Sequence, residues 1–127
     1  MNIPHNLRYT GDHEWAKVEG GVAVVGVTEF AVEQLGDITL VELPAVGSEI
    51  DAGKMIGTIE SVKAVSDMYS PLTGKVLAIN EDLEDAPEKV NEDCYGEGWM
   101  LKIEIADNAE VEALMDAAAY QAHVDNQ

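Results

Sequence analysis

The sequence is poor in cysteine, and its 127 residues contain only one, Cys94. A single cysteine excludes an intramolecular disulfide bond, so the chain does not depend on an oxidising compartment. The opening segment MNIPHNLRYT lacks the apolar stretch of a signal peptide and the Arg- and Ser-rich pattern of a transit peptide. No apolar run approaches the roughly 18 residues of a membrane span, so we expect a cytoplasmic protein without a membrane partner.

Positive charge is also scarce. Lys and Arg together number 7 against 25 Asp and Glu residues, which makes the formal net charge −18. Such a field repels phosphate backbones and anionic lipid headgroups, so we expect neither nucleic acid nor a membrane surface as a partner. The same field speeds encounters with proteins that carry basic docking patches.

Motifs for catalysis and for metal binding are missing as well. The histidines are scattered, and neither His-x-x-x-His nor Cys-x-x-Cys occurs, so we expect no metal site. Cys94 follows Glu92 and Asp93, whose negative charges raise a thiol pKa and so disfavour a nucleophile. No Gly-x-Ser-x-Gly or Walker-type loop is present. We therefore expect no catalytic residue, and a protein that is not an enzyme.

What the sequence does contain is a series of short β-strand patterns. Glu19-Gly20-Gly21 is a turn signal between two apolar runs and predicts a hairpin. In WMLKIEI, Leu101, Ile103 and Ile105 alternate with polar residues, as in a half-buried strand. Further breaks follow at Pro44, Gly47, Gly53, Pro71 and Gly74. Many short strands favour a small sandwich or flattened barrel, which we expect to span about residues 15–105 of one domain covering 1–127.

Two helices complete the predicted fold. Thr28 is a suitable N-cap and Gly36 a suitable C-terminal residue for a helix of about two turns. At the C-terminus, Asp107 or Asn108 begins a helix that we predict over about 108–123. Its apolar stripe, packed on the sheets, consists of Val111, Leu114, Met115, Ala118 and Ala122. The acidic stretch 81–98 is predicted to be a loop.

One lysine has an unusual setting. Strand patterns at 56–60 and 65–69 leave Ser61-Val62-Lys63-Ala64 at the tip of a predicted hairpin, and a type I turn tolerates these residues. A lysine on such a rigid tip suits an enzyme that attaches a group to one particular amine. The alternative is an ordinary solvated lysine, and the abundance of exposed lysines favours that alternative when these residues are considered alone.

Motifs along nearly the whole chain resemble the H protein family of the glycine cleavage system. The order of the motifs makes the resemblance specific, whereas a single pentapeptide would not. They are HEW, GVTEFAVEQLGD, VELPAVG, ESVKA, SDMYSPLTGKV, VNED-YGEGWMLKI and LMDAAAY. The sequence departs from the family pattern at Cys94, where many relatives have Pro, and at Gln34, where some have His.

The resemblance implies a fold, a cofactor and a function. The implied fold is mainly β, a lipoyl-type hybrid barrel-sandwich with a short helix after Thr28 and a C-terminal helix. Lys63 corresponds to the lysine that carries (R)-lipoate in an amide bond, and Glu60 to the acidic residue that the attaching enzyme recognises. The implied function is to carry the aminomethyl group of glycine on the lipoyl arm, as a shuttled substrate. We expect Asp67, Glu14 and Asp12 to form a cleft that docks the loaded arm, because its protonated amine needs carboxylates.

The implied partners are three enzymes that act on the arm and those that install it. A pyridoxal-phosphate glycine decarboxylase loads the arm, a tetrahydrofolate-dependent aminomethyltransferase unloads it, and dihydrolipoamide dehydrogenase reoxidises the dithiol. Attachment requires a lipoate ligase, or an octanoyltransferase with lipoyl synthase. The resemblance does not distinguish this function from a role in relaying lipoate to other proteins.

Carriers of other kinds fit less well. A lipoyl domain of a 2-oxoacid dehydrogenase usually has Asp-Lys-Ala at the tip and Ala/Pro-rich linkers, a biotin carrier has Met-Lys-Met, and a phosphopantetheine carrier is helical. From a different class, the chain could be an acidic interaction module without a cofactor.

Overall fold

The structure is a computed structural model that describes residues 1–127, and it is mainly β, as expected. The strands are β1 Arg8–Tyr9, β2 Glu14–Glu19, β3 Val22–Val27, β4 Ile38–Glu42, β5 Glu49–Ile50, β6 Met55–Ser61, β7 Val65–Tyr69, β8 Gly74–Ile79 and β9 Leu101–Ile105. The helices are α1 Glu29–Leu35, α2 Asp82–Asp85, α3 Lys89–Glu92, α4 Asn108–Ala113 and α5 Ala117–Asp125. None of the helices is long and apolar enough to cross a membrane.

The strands form two antiparallel sheets. One has 6 strands in the order β1-β2-β3-β9-β8-β5, and the other has 3 in the order β4-β6-β7. A cluster of 19 buried apolar residues draws on both, with Val25 and Val76 from the larger sheet and Ile59 and Met68 from the smaller. Burial of this apolar surface from water is the main force that holds the sheets together.

The predicted β2–β3 hairpin is confirmed. Glu19 pairs with Val22, and Gly20 at the turn has a φ of 63°, a conformation that glycine adopts at little cost. The β core begins before the predicted residue 15, however, because Arg8 pairs with Ala16 and Tyr9 with Trp15. A strand of two residues has no alternation that a sequence pattern could detect.

Helix α1 also has the predicted ends. The Thr28 hydroxyl accepts a hydrogen bond from the Ala31 N–H at 3.4 Å, and the Gly36 N–H donates to the Val32 carbonyl. The φ of 77° at Gly36 turns the chain out of the helix toward β4.

The predicted C-terminal helical segment is present, but the prediction of one continuous helix over 108–123 is wrong, because the segment forms two helices, α4 and α5. Tyr9 and Met115 exchange backbone hydrogen bonds of 2.8 and 2.9 Å, which interrupts the helix. Asp116 then caps α5 by accepting from the Ala119 N–H at 2.8 Å. The restart changes the buried face: Ala118 and Ala122 are exposed, and the buried residues are Ala117, Tyr120 and Val124.

The acidic stretch 81–98 is more ordered than the predicted loop. It contains α2 and α3, each of 4 residues, and each buries one apolar side chain, Leu83 and Val90 respectively. One apolar residue per helix is too few to create a helical period in the sequence, so the pattern could not reveal them.

Candidate functional site

The predicted hairpin tip is present, with Lys63 in the turn between β6 and β7. Glu60 pairs with Val65, and the Ser61 N–H donates to the Ala64 carbonyl at 2.8 Å. The Ser61 hydroxyl accepts hydrogen bonds from the N–H groups of Ala64 at 3.1 Å and Lys63 at 3.3 Å. A serine side chain therefore stabilises the turn where a glycine or asparagine is more usual.

The Lys63 side chain is exposed and lies across the glycine that ends α1. A Cβ atom at Gly36 would lie 3.3 Å from the Lys63 Cε and 3.8 Å from its Nζ. The two salt bridges in the chain involve Lys17 and Lys89, so the Lys63 ammonium has no acidic partner within the protein. Its amine is accessible to an enzyme, and no internal ion pair would be lost on acylation.

Glu60 and Asp67 share the outer face of the three-stranded sheet. Leu40, Glu60 and Val65 stand opposite one another in one row, and Glu42, Thr58 and Asp67 in the next row on the same face. Leu40, Val65 and the tip residue Val62 are exposed apolar side chains. The surface around Lys63 therefore combines apolar contact area with carboxylates, which suits partners that carry basic residues.

Glu14 has a very different environment from the other predicted carboxylates. It is 2% exposed, accepts from the Thr10 hydroxyl at 2.6 Å and accepts from the Tyr69 N–H at 3.3 Å. Burial raises the pKa of this carboxyl to about 7, against the smaller opposing effects of these hydrogen bonds. Tyr69 is two residues beyond Asp67, so the structure brings Glu14 beside the outgoing strand of the hairpin.

Asp12 is exposed, and its N–H donates to the Thr10 hydroxyl at 3.2 Å. The protein has three surface cavities, of about 330, 310 and 370 Å³, and none is lined by Lys63, Asp67, Glu14 or Asp12. The expected docking cleft is thus not a preformed cavity. Asp67 and Asp12 are exposed on the surface, whereas Glu14 is buried beside β7.

Sequence reasoning missed a cluster formed around His13. The His13 Nδ1 and the Thr28 hydroxyl each lie 2.7 Å from the Tyr120 hydroxyl, so Tyr120 of α5 contacts both the residue before β2 and the N-cap of α1. Burial lowers the pKa of His13, and the neighbouring His123 lowers it further. His13 and Tyr120 are 107 positions apart, so no local spacing could have revealed the contact.

Asn91 was missed as well. From α3 its side-chain N–H donates to the Gly36 carbonyl at 2.8 Å, and its side-chain oxygen accepts from the Ile38 N–H at 2.9 Å. The asparagine thus holds both ends of the short connection over which Lys63 lies. Asn91 lies within the motif VNED-YGEGWMLKI, but a motif does not show which backbone groups a side chain will contact.

Cys94 has no sign of reactivity. Its thiol is buried, and burial raises its pKa to about 12, with the Glu29 charge acting in the same direction. Its backbone carbonyl accepts a hydrogen bond from the Trp15 indole N–H at 3.0 Å, which is a structural contact. The chain has no group of three or more His, Cys, Asp or Glu side chains that could hold a metal ion.

Comparison with known proteins decides the family. The family model for the glycine cleavage H-protein matches residues 7–127. The chain belongs to the glycine cleavage H-protein family. A glycine cleavage system H protein of Anaeromyxobacter sp. (strain K) is 54% identical over 127 residues, covering 100% of this chain and 99% of the relative. One from Myxococcus xanthus (strain DK1622) is 57% identical over 125 residues, covering 98% and 97% of the two chains.

A solved structure agrees with this assignment. The crystal structure of a glycine cleavage system H protein from Mycobacterium marinum has a TM-score of 0.87 and 35% sequence identity, covering 97% of this chain and 99% of that one. The expected fold is confirmed by this similarity. The expected function, the lipoyl carrier of the glycine cleavage system, is confirmed by family membership, which disfavours a lipoyl domain of a 2-oxoacid dehydrogenase.

Proposed function

We propose that the protein carries lipoate in an amide bond to Lys63 and presents it to the enzymes of glycine cleavage. The observation that carries the proposal is the exposed Lys63 amine, which has no salt bridge and stands on a hairpin turn stabilised by Ser61. When bound, the dithiolane supplies a pair of redox-active sulfurs that accepts the aminomethyl group of glycine. The protein itself supplies presentation and recognition, and is a carrier acted on by other enzymes.

The residues present at the tip fit this cofactor. Acylation converts the Lys63 ammonium into a neutral amide and breaks no ion pair in the chain. The β6–β7 hairpin holds the attachment point, and the side chain of Lys63, which lies across Gly36, remains exposed to solvent. Tethering in this way raises the local concentration of the reactive group at each partner, without any need for tight binding to any one of them.

Recognition by partners is assigned to the surface around the tip. We propose that Glu60, in the row beside the turn, is recognised by the lipoate ligase, or by the octanoyltransferase that acts before lipoyl synthase. The formal charge of −18 favours encounters with basic surfaces on the glycine decarboxylase, the aminomethyltransferase and dihydrolipoamide dehydrogenase. Each partner would meet the same exposed apolar residues, Val62 and Val65, next to Lys63.

We further propose that Asp67, Glu14 and Asp12 hold the loaded arm between enzymes. Asp67 is exposed on the outer face of β7, and the Glu14 carboxylate contacts the same strand through the Tyr69 N–H. A protonated amine near these groups would be favoured by their charge. We assign the whole of residues 1–127 to one lipoyl-carrier domain that acts in the cytoplasm.

The attachment site is tested by incubating the full chain with a lipoate ligase, ATP and lipoate, then mapping the modification by peptide mass spectrometry. All of the added mass is expected on the peptide that contains Lys63. The Lys63→Arg variant should gain none, whereas Lys54→Arg, which removes another exposed lysine, should be lipoylated at the wild-type rate. Lipoylation of the Lys63→Arg variant would refute the assignment.

A further inference from the structure

The hairpin tip rests on the connection between α1 and β4. The Val62 N–H, next to Lys63, donates to the Asp37 carbonyl at 3.0 Å. The Lys63 side chain itself lies across Gly36, where any Cβ would come within 3.3 Å of its Cε. The position of the attachment lysine therefore depends on where residues 36–38 lie, in addition to the turn that contains it.

This connection is held in place by one side chain from another part of the fold. Gly36, with a φ of 77° and a ψ of −150°, lies outside both helix and strand conformations. Asn91 donates to the carbonyl before Asp37 and accepts from the N–H after it, at 2.8 and 2.9 Å. A single amide thus fixes Gly36 and Ile38 together, 55 and 53 positions away in sequence.

We propose that Asn91 is a positioning residue for Lys63. Its amide clamps residues 36–38, the clamped Asp37 carbonyl receives the Val62 N–H, and the tip is thereby held in the conformation that the attaching enzyme binds. This inference rests on the proposed function of Lys63 as the attachment site. Asn91 does not touch the reacting amine and acts only through the backbone beneath it.

Loss of the clamp should affect binding more than chemistry. If the tip spends less time in the bound conformation, the apparent affinity of the ligase for the protein falls in proportion to that fraction. The KM for the protein substrate should therefore rise, while kcat at saturation stays near the wild-type value. We expect the KM to rise about three- to tenfold, as is typical for the loss of a hydrogen bond between polar groups that are partly buried.

Two substitutions separate the parts of the clamp. Asn91→Asp keeps the oxygen that accepts from Ile38 but removes the donor to Gly36, whereas Asn91→Ala removes both bonds. Asn80→Asp is the matched control, because Asn80 is also a structural amide that donates to two carbonyls, those of Glu97 and Trp99, both at 2.8 Å. Asn80 makes no hydrogen bond to residues 36–38 or to the hairpin.

The experiment combines amide hydrogen exchange with steady-state lipoylation of the full chain. In both Asn91 variants the Val62 N–H should exchange at least about tenfold faster, because its acceptor is no longer fixed. The Ser61 N–H, which bonds within the turn, should keep its protection. The KM should rise in Asn91→Asp and further in Asn91→Ala, and stay at the wild-type value in Asn80→Asp even if that variant melts at a lower temperature.

Unchanged Val62 exchange in both Asn91 variants would overturn the inference, and so would an unchanged KM. An equal rise in KM in Asn80→Asp would also overturn it, because the effect would then reflect general destabilisation. The failure of the proposed function is distinct, since it would appear as wild-type protein that is not lipoylated at Lys63.

Discussion

The Glu14 carboxylate accepts a hydrogen bond from the backbone N–H of Tyr69 at 3.3 Å. The bond joins β2 to β7, the strand that follows the Lys63 turn. This contact places a buried acidic group beside the hairpin. It also raises the question of the group's charge, because burial raises the pKa of Glu14 from 4.5 to about 7. At neutral pH the carboxyl is therefore close to half protonated.

The first prediction concerns the pH dependence of stability. Because the folded chain holds the Glu14 proton more tightly than the unfolded chain, this group's contribution to stability is fully present below pH 4.5 and is lost as the pH rises through about 7. The loss is on the order of 3 kcal/mol. Glu14→Gln removes this dependence, so the variant should gain stability relative to the wild type between pH 4 and pH 8.

Urea unfolding at several pH values measures this gain as the difference in unfolding free energy between the two proteins. The contributions of the other acidic groups are the same in both proteins and cancel in that difference. The exposed Glu104→Gln serves as the control and should differ from the wild type by a nearly constant amount. A constant difference for Glu14→Gln as well would show that Glu14 titrates at an ordinary pH in the folded protein.

The second prediction concerns the loaded arm. Protein that the decarboxylase has loaded with the aminomethyl group should release ammonia faster in Asp67→Asn and Glu14→Gln than in the wild type. We expect about a three- to tenfold effect for Asp67→Asn, because charge-assisted hydrogen bonds are the stronger kind. The effect of Glu14→Gln should be smaller, since the Glu14 oxygens already accept from Thr10 and Tyr69.

Ammonia is followed without the aminomethyltransferase present, and Glu104→Gln again controls for the loss of one negative charge. Asp12→Asn tests the third proposed carboxylate in the same assay. Equal rates in all of these proteins would mean that the arm moves freely in water, and the docking proposal would be abandoned.

The third prediction concerns recognition of the tip. The Glu60→Gln variant should be lipoylated with a kcat/KM about fivefold lower, because the half-buried Glu60 carboxylate beside the turn contributes a charged contact to the ligase. Glu42→Gln is the matched control: Glu42 lies on the same outer face, one row further from the tip, and is exposed. Unchanged lipoylation of Glu60→Gln, or an equal loss in Glu42→Gln, would remove Glu60 from the recognition site.

The fourth prediction concerns the strand that leads into the tip. A Cβ at Gly57 would collide with the Glu42 carbonyl oxygen of the neighbouring strand, and the backbone there has little freedom to move. Gly57→Ala should therefore destabilise the fold by about 1–3 kcal/mol in urea unfolding. Gly21→Ala should have almost no effect, because no other atom lies within 4 Å of the position of its Cβ. Similar stabilities for the two variants would contradict the packing described for β6.

Local signals in the sequence predicted a large part of this fold. The β2–β3 hairpin, the ends of α1 at Thr28 and Gly36, and the Lys63 turn all depend on residues within a few positions of one another. Helix capping, turn formation and strand alternation act over that range, so these features can be predicted from the sequence without a structure. The motif order added the family and, with it, the identity of Lys63 as the candidate attachment site.

Contacts between segments that are distant in the sequence could not be predicted from it and were revealed only by the tertiary structure. The burial of Glu14 against Tyr69, the His13–Tyr120 bond and the clamp of Asn91 on Gly36 and Ile38 each join residues more than 50 positions apart. The Tyr9–Met115 bridge that divides the C-terminal helix is of the same kind. Such pairings depend on how two sheets and five helices pack in space. The residues next to a polar side chain in the sequence do not show which backbone group it will bind in the folded protein.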